Sequence, residues 1–229
     1  MAKKRKAHSL TGRIHDRLMM QAFKAVKRNR GAAGIDKVSS GMFEENLDAN
    51  LAALKRDLKT RGAFSPKPLR RVWIPKDATG TKMRPLGIPA VISGFFDNIP
   101  HKLIVGAVAS EVADGNILNL IEKFLAAGVM EGGVFKPTTI GTPQGGVISP
   151  LLANIVLNQL DWRLEEAGYR FVRYADDFVV VCKTSQQAEA ALALVEKIMT
   201  DLGLALSPEK TKIASYGKGY EFLGFRLSS

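Results

Sequence analysis

The sequence has one cysteine, Cys182, and no apolar run of the roughly eighteen residues that a membrane helix needs. A single thiol excludes disulfides and cysteine-based zinc sites within the chain, and its place among valines predicts a buried, small apolar side chain. The first residues, MAKKRKAHSL, contain no apolar signal core. These absences predict a protein of a reducing, cytoplasmic setting that does not enter a membrane.

Acidic residues are scarce in the first part of the chain. Residues 1–30 hold ten Lys or Arg against Asp16, and residues 55–84 hold ten more against Asp57 and Asp77. The formal net charge is +11 and the sequence pI is about 9.8. This excess indicates a polyanionic partner, nucleic acid before an anionic membrane. KKRK suits either a nuclear signal or a basic nucleic-acid-binding arm, and the alternative for the clusters is a solvated charged face.

Hydrophobic periodicity predicts several helices in a chain that is long enough to bury a core. Ile14, Leu18, Ala22 and Val26 share one face of a basic helix over residues 13–29. Further helices are predicted at 41–61 after Ser39 and Ser40, and around 117–125 with an end at Gly128. Another is predicted after a cap at Ser149 with Pro150 at its first position, and a last one after a Thr184/Gln187 capping box with an end at Gly203. Short strands are predicted at 89–92, 204–213 and 220–227.

A basic hairpin is predicted before residue 90, where RRVWIPK and TKMRPLGIP flank the turn DATG. Its basic side chains suit a groove for a phosphate backbone or a clamp for a triphosphate. The alternative is an edge strand that Lys and Pro protect from aggregation. The basic side chains of this hairpin are Arg70, Arg71, Lys76, Lys82 and Arg84.

Two adjacent carboxylates interrupt an otherwise apolar hairpin in RFVRYADDFVVVC, residues 170–182. β-formers on both sides place Asp176 and Asp177 at the polar tip. Neighbouring carboxylates repel each other unless a cation lies between them, and Mg²⁺ takes oxygen ligands together with substrate phosphates. The pair therefore predicts a metal site for phosphoryl chemistry, with ordinary turn chemistry as the alternative.

The order of these segments resembles the reverse transcriptases of group II introns and their bacterial relatives. YADD alone is a weak signal, but YADD at this distance after TPQGGVISPLLANI is specific. The resemblance also includes KRNRGAAGID, RRVWIPK, RPLGIP, SPEKTK and FLGF. It implies an α+β fold, an incomplete right-hand polymerase in which an antiparallel palm sheet is flanked by helices. Residues 1–89 would form an N-terminal extension and partial fingers, and residues 90–229 the palm.

The resemblance implies an RNA-directed DNA polymerase, in which a primer 3′-hydroxyl attacks the α-phosphate of a deoxynucleotide on an RNA template. Two Mg²⁺ ions, with Mn²⁺ as an alternative, stabilise the attacking and leaving oxygens. Asp176 matches the principal metal ligand and Asp177 its neighbour. Lys76 and Arg84 match triphosphate contacts, Gln144 lies in the loop against the nucleotide, Phe96 matches the steric gate, and Lys210 resembles the lysine that neutralises the leaving pyrophosphate. Nucleic acid, intron RNA included, would contact Arg28, Arg30, Arg70, Arg71 and Lys82.

The sequence departs from the family between RPLGIP and GFFD, where relatives carry a long segment with a strand that ends in a metal-binding aspartate. That aspartate should lie five positions before Phe96, which is Val91 here, and Asp97 lies beyond the expected strand. The chain also stops just after FLGF, so thumb and maturase regions are not expected. We therefore expect a reverse-transcriptase fold with a weakened cation site. The alternatives are an RNA-binding remnant that does not use Asp176 and an RNA-directed RNA polymerase, which Phe96 disfavours.

Overall fold

The computed structural model describes residues 6–29, 33–75, 83–87, 99–142, 148–208, 211–214, 220–222 and 225–227. The chain divides into two compact units, Met1–Ser149 and Pro150–Ser229. None of the helices in the described ranges is long and apolar enough to cross a membrane. The predicted strand at residues 89–92 lies outside these ranges.

The first unit begins with a short 3₁₀ helix, Thr11–Arg13, and helix α1, Asp16–Arg28. Met19 is buried on α1, and the ring of Phe23 stacks on that of Phe43 at 5.8 Å between centroids. The helix face that was predicted to be apolar and packed does not lie against the core, because Leu18 and Val26 on that face are exposed. Aromatic stacking therefore selects a different face from the one with the most regular apolar spacing.

The single helix predicted over residues 41–61 is wrong, because the structure has two helices there. They are α2, Ser40–Glu44, and α3, Leu47–Lys59. Asn46 lies between them with φ −129° and ψ 48°, outside the helical region. The side chain of Asn50 donates to the carbonyl of Phe43 at 2.8 Å, which satisfies an acceptor that the break leaves without a helical partner.

The first unit also contains a four-stranded sheet in the order β2-β1-β3-β4. Its strands are β1, Leu69–Pro75, β2, Met83–Gly87, β3, Val129–Glu131, and β4, Val134–Lys136. β1 pairs antiparallel with β2 and parallel with β3, which confirms the predicted hairpin and connects it to a second one. That second hairpin was not predicted, because three-residue strands are too short to show alternation.

Helices α4, His101–Glu111, and α5, Gly115–Ala126, supply much of the core of this unit. Ile104, Val108 and Leu125 on these two helices are almost completely buried. α4 was not predicted, whereas the end of α5 before Gly128 is confirmed. Gly128 has a φ of 71°, and a Cβ there would lie 2.6 Å from the ring of Phe135, so the turn requires glycine.

Within its described residues, the second unit has four strands and two long helices. They are α6, Ser149–Glu166, β5, Arg170–Tyr174, β6, Asp177–Val181, α7, Ser185–Asp201, β7, Tyr220–Phe222, and β8, Phe225–Leu227. Buried apolar side chains on α6 and α7 form its core, including Leu160, Leu164 and Ile198.

The caps of α7 agree with the sequence. Thr184 Oγ1 accepts from the backbone of Gln187 at 3.1 Å, and the Gln187 side chain accepts from Lys183 N at 2.8 Å. Gly203, with a φ of 64°, ends the helix. The strand predicted at 204–213 is wrong within residues 204–208 and 211–213, which are irregular, whereas β7 and β8 confirm the strands at the end of the chain.

Candidate active site

The hairpin β5–β6 places the paired aspartates at its tip, as predicted. The two strands pair antiparallel from Arg170 opposite Val181 to Tyr174 opposite Asp177. The loop therefore has two residues, Ala175 and Asp176. Asp176 is half-buried and Asp177 is exposed. We call residues 174–177 the aspartate turn.

The backbone of the aspartate turn is strained at its first loop residue. Ala175 has a φ of 55°, in the left-handed region that the primed turns of two-residue hairpins require at this position. Glycine usually occupies it, because a side chain in the left-handed region costs about 1–2 kcal/mol. Such strain persists only where the surrounding contacts hold it, and it occurs frequently at functional sites.

The hairpin presents one open face and one packed face. Val172 is 60% exposed, Tyr174 is 68% exposed and Val181 is 58% exposed, and strand alternation places Asp177 on the same side. The intervening residues on β5, Phe171 and Arg173, are less exposed. The carboxylate of Asp177 thus lies at the edge of an accessible, largely apolar surface.

Arg173 connects the packed face of the hairpin to α6. Its Nε and Nη2 donate to the two carboxylate oxygens of Asp161 at 2.7 and 2.5 Å. Its Nη1 donates to Asn154 Oδ1 and to the carbonyl of Ala175, both at 2.8 Å. The guanidinium therefore bridges a helix and the aspartate turn through four hydrogen bonds, two of them in the strong bidentate geometry.

Sequence reasoning did not identify Arg173, Asp161 or Asn154 as parts of the site. Asn154 and Asp161 are seven residues apart on α6, which places them on one face of the helix. Arg173 alternates with the exposed Val172 and Tyr174. The sequence spacing could have indicated which of these side chains share a face of their own element. It could not have indicated that Arg173 pairs with Asp161 and Asn154, which lie 12 and 19 positions away in the chain.

Cys182 follows β6 and is half-buried rather than fully buried. Burial raises the pKa of its thiol above the ordinary value. The side chain is therefore a protonated, weakly polar group at neutral pH, close to its predicted role as a small apolar residue.

The donor set of the aspartate turn fits a hard divalent cation in its chemistry. Asp176 and Asp177 supply carboxylate oxygens, the ligands that such ions prefer. Within the described ranges, no group of three His, Cys, Asp or Glu side chains lies close enough together to hold a metal ion. Val91, where the third carboxylate was expected, and Asp97 lie outside those ranges.

The other predicted site residues are only partly described. Arg28 lies exposed in the last turn of α1, and Arg70, Arg71 and Arg84 belong to the backbone of β1 and β2. In the register of that hairpin, Arg84 is opposite Ile74. Lys76, Lys82, Phe96, Gln144, Lys210 and Arg30 lie outside the described residues, so their roles stay predictions.

Residues 53–227 match the family described as "Reverse transcriptase (RNA-dependent DNA polymerase)". This range includes the four described hairpins and most of the described helices, and the chain belongs to that family. The family uses divalent metal ions and acts on an RNA template and nucleotide substrates.

Individual relatives agree with this assignment. The group II intron-encoded protein LtrA of Lactococcus lactis subsp. cremoris is 30% identical over 210 residues, covering 66% of this chain and 34% of LtrA. A 91 kDa protein in the cob intron of Schizosaccharomyces pombe is 29% identical over 197 residues, covering 60% of this chain and 24% of that protein. The chain thus spans about a third or less of these two intron proteins.

Protein YkfC of Escherichia coli strain K12 is 28% identical over 306 residues, covering 91% of this chain and 80% of YkfC. The matched length exceeds the 229 residues of this chain. YkfC therefore carries residues that have no counterpart in this chain.

Proposed function

We propose that this chain catalyses RNA-directed DNA synthesis at the aspartate turn, with a rate limited by an incomplete cation site. The observation that carries the proposal is the placement of Asp176 and Asp177 at the tip of a two-residue hairpin turn in a reverse-transcriptase chain. The third carboxylate expected from the resemblance would lie at position 91, where this chain has Val91. The two remaining carboxylates would then give one strong cation site and a weak second one.

In the proposed reaction, the primer 3′-oxygen forms a bond to the α-phosphorus of a deoxynucleotide. The bond from that phosphorus to the bridging oxygen breaks, pyrophosphate leaves and the hydroxyl proton passes to solvent. Asp176 and Asp177 would hold Mg²⁺, or Mn²⁺ in its place. When bound, the cation stabilises the negative charge that develops on the attacking and leaving oxygens.

The remaining roles extend the resemblance to individual residues. Lys76 and Arg84 would neutralise the triphosphate, Lys210 would neutralise the departing pyrophosphate, and Gln144 would pack against the incoming nucleotide. Phe96 would exclude a ribose 2′-hydroxyl by its bulk. The proposed division is an N-terminal extension with partial fingers over 1–89 and a palm over 90–229.

We further propose that RNA, including intron RNA, binds to the basic residues that precede residue 85. Arg28, exposed on α1, and the arginines of β1 and β2 support this assignment. Arg30 and Lys82 would extend the same contact. Binding that rests on phosphate neutralisation weakens steeply with salt.

Primer extension on an RNA template with a DNA primer, deoxynucleotides and Mg²⁺ tests the proposal. Asp176→Asn keeps the size of the side chain but removes its charge, and it should lower the extension rate at least about a hundredfold. Glu189→Gln, on an exposed position of α7, is the matched control and should keep the wild-type rate. RNA binding measured at two salt concentrations should be the same for all three proteins.

Equal extension by wild type and Asp176→Asn would refute the proposed site. Undetectable extension by the wild type with either ion, together with salt-sensitive RNA binding, would identify an RNA-binding remnant instead. Incorporation of ribonucleotides as readily as deoxynucleotides would identify an RNA-directed RNA polymerase.

A further inference from the structure

Arg173 has a position that neither its charge nor its place in the sequence explains by itself. Its side chain is 11% exposed, although its two neighbours on the strand are largely open to solvent. A charged side chain is rarely buried to this extent unless it is fully paired. Arg173 meets that condition through Asp161, Asn154 and the carbonyl of Ala175.

α6 provides the fixed end of this arrangement. Leu157, Leu160 and Leu164 on the same helix are almost completely buried, so α6 is held by the core. Asp161 and Asn154 project from this anchored helix and together accept three of the four hydrogen bonds from Arg173. The bidentate pair with Asp161 fixes the plane of the guanidinium as well as its position.

The fourth hydrogen bond acts directly on the aspartate turn. The carbonyl of Ala175 that accepts from Nη1 belongs to the peptide unit that leads into Asp176. Peptide units are planar, so fixing this carbonyl also fixes the backbone N–H and the Cα of Asp176. The residue that carries this carbonyl, Ala175, also has the unfavourable positive φ of the turn. The bond therefore holds the strained turn against relaxation.

We propose that Arg173 is a positioning residue that keeps the Asp176 carboxylate in place for a divalent cation. The inference rests on the proposed function, because it assigns the cation to the aspartate turn. Cation ligands must lie within a few tenths of an ångström of their required places. A single arginine that connects the core helix α6 to the turn supplies this precision in a site that has few ligands.

The test compares wild type with Arg173→Lys in a measurement that does not require polymerisation. Mn²⁺ binding is followed by electron paramagnetic resonance, and Asp176→Asn identifies the signal that belongs to the turn. Lysine keeps the positive charge but cannot make the bidentate contact and the Ala175 contact together. The dissociation constant of Mn²⁺ should rise at least about tenfold in Arg173→Lys.

Arg163→Lys is the matched control. Arg163 lies on α6, the helix that carries Asp161 and Asn154, and its Nη1 pairs with Asp201 on α7 at 2.6 Å. This variant should bind Mn²⁺ as the wild type does. Circular dichroism establishes whether each variant is folded. If Arg173→Lys does not fold, Asn154→Ala replaces it in the test. Asn154→Ala removes one acceptor of Arg173 and should show a smaller loss of Mn²⁺ affinity.

The outcomes separate the two proposals. Equal Mn²⁺ affinity in wild type and Arg173→Lys, or the same loss in Arg163→Lys, would overturn the positioning role. The absence of Asp176-dependent Mn²⁺ binding in the wild type would overturn it as well. If the wild type binds Mn²⁺ at the turn but extends no primer, the proposed polymerase function fails, while the comparison with Arg173→Lys still decides the role of Arg173.

Discussion

At the scale of single residues, Ala175 is the strained position of the site. It has a positive φ without being glycine, and its carbonyl is held by Arg173. The turn thus combines an unfavourable backbone conformation with a strong, oriented hydrogen bond. This combination favours one conformation of the loop over a looser, less strained alternative.

Ala175→Gly should stabilise the protein by about 0.5–1 kcal/mol, because the relief of left-handed strain exceeds the added entropy of the unfolded chain. Chemical denaturation of the purified chain measures the change. Ala190→Gly, at an exposed position inside α7, is the control and should destabilise by about 1 kcal/mol. A destabilisation in both variants would mean that Ala175 is not strained.

At the scale of elements, Asp114 joins segments that are far apart in the chain. Its side chain caps α5 by accepting from the backbone of Asn116 and Ile117 at 3.1 and 3.3 Å. It also accepts from the backbone and hydroxyl of Thr11, in the 3₁₀ helix, at 2.8 and 2.9 Å. The hydrogen bond from the backbone N–H of Thr11 lowers the pKa of Asp114 more than any other contact, against the opposing effect of burial.

Asp114→Ala should destabilise the protein by about 1–2 kcal/mol at neutral pH, the usual cost of a lost N-cap. The folded pKa is lower than the ordinary 3.8, so the unfolded state binds more protons in acid. The contribution of Asp114 is therefore present above about pH 4 and is lost as the pH falls through the folded pKa. Denaturation of wild type and Asp114→Ala at pH 7 and pH 3 measures whether the difference between their free energies of unfolding becomes smaller in acid.

Glu122→Ala, an exposed position on the same helix, is the control and should change the stability by less than about 0.5 kcal/mol. A difference between wild type and Asp114→Ala that stays constant from pH 7 to pH 3 would contradict the role of the ionised carboxylate.

At the scale of the whole molecule, the chain has a strongly basic first part, and it has Val91 where the resemblance predicts a third carboxylate. The net charge of +11 provides general attraction for a nucleic acid but no chemistry. Chemistry would depend on the carboxylates, of which the aspartate turn supplies two. In the proposed site, the residue at position 91 would therefore influence how well a cation is held.

Val91→Asp should raise the primer-extension rate at least about tenfold and lower the Mg²⁺ concentration that gives half of the maximal rate, because it supplies the expected third ligand. Val91→Asn is the control, since it has a similar size but no charge, and it should give no gain. If Val91→Asp is no faster than Val91→Asn, the missing carboxylate is not what limits the reaction.

The sequence was sufficient for features that depend on neighbouring residues. The aspartate hairpin, the basic hairpin, the cap of α7 and the ends of α5 and α7 follow from alternation, capping residues and glycines within a few positions. The order of the motifs was sufficient for the family. The hairpin, cap and helix-end signals are local, and the motif order is read along the chain, so no knowledge of packing was needed to recognise them.

Only the tertiary structure decided which faces and which partners the chain uses. It separated α2 from α3, buried Met19 rather than Leu18, joined Asp114 to Thr11 across 103 positions and placed Arg173 between α6 and the aspartate turn. These choices depend on the chain as a whole, because a side chain packs or pairs with whatever folding brings next to it. Local periodicity contains no information about that neighbour.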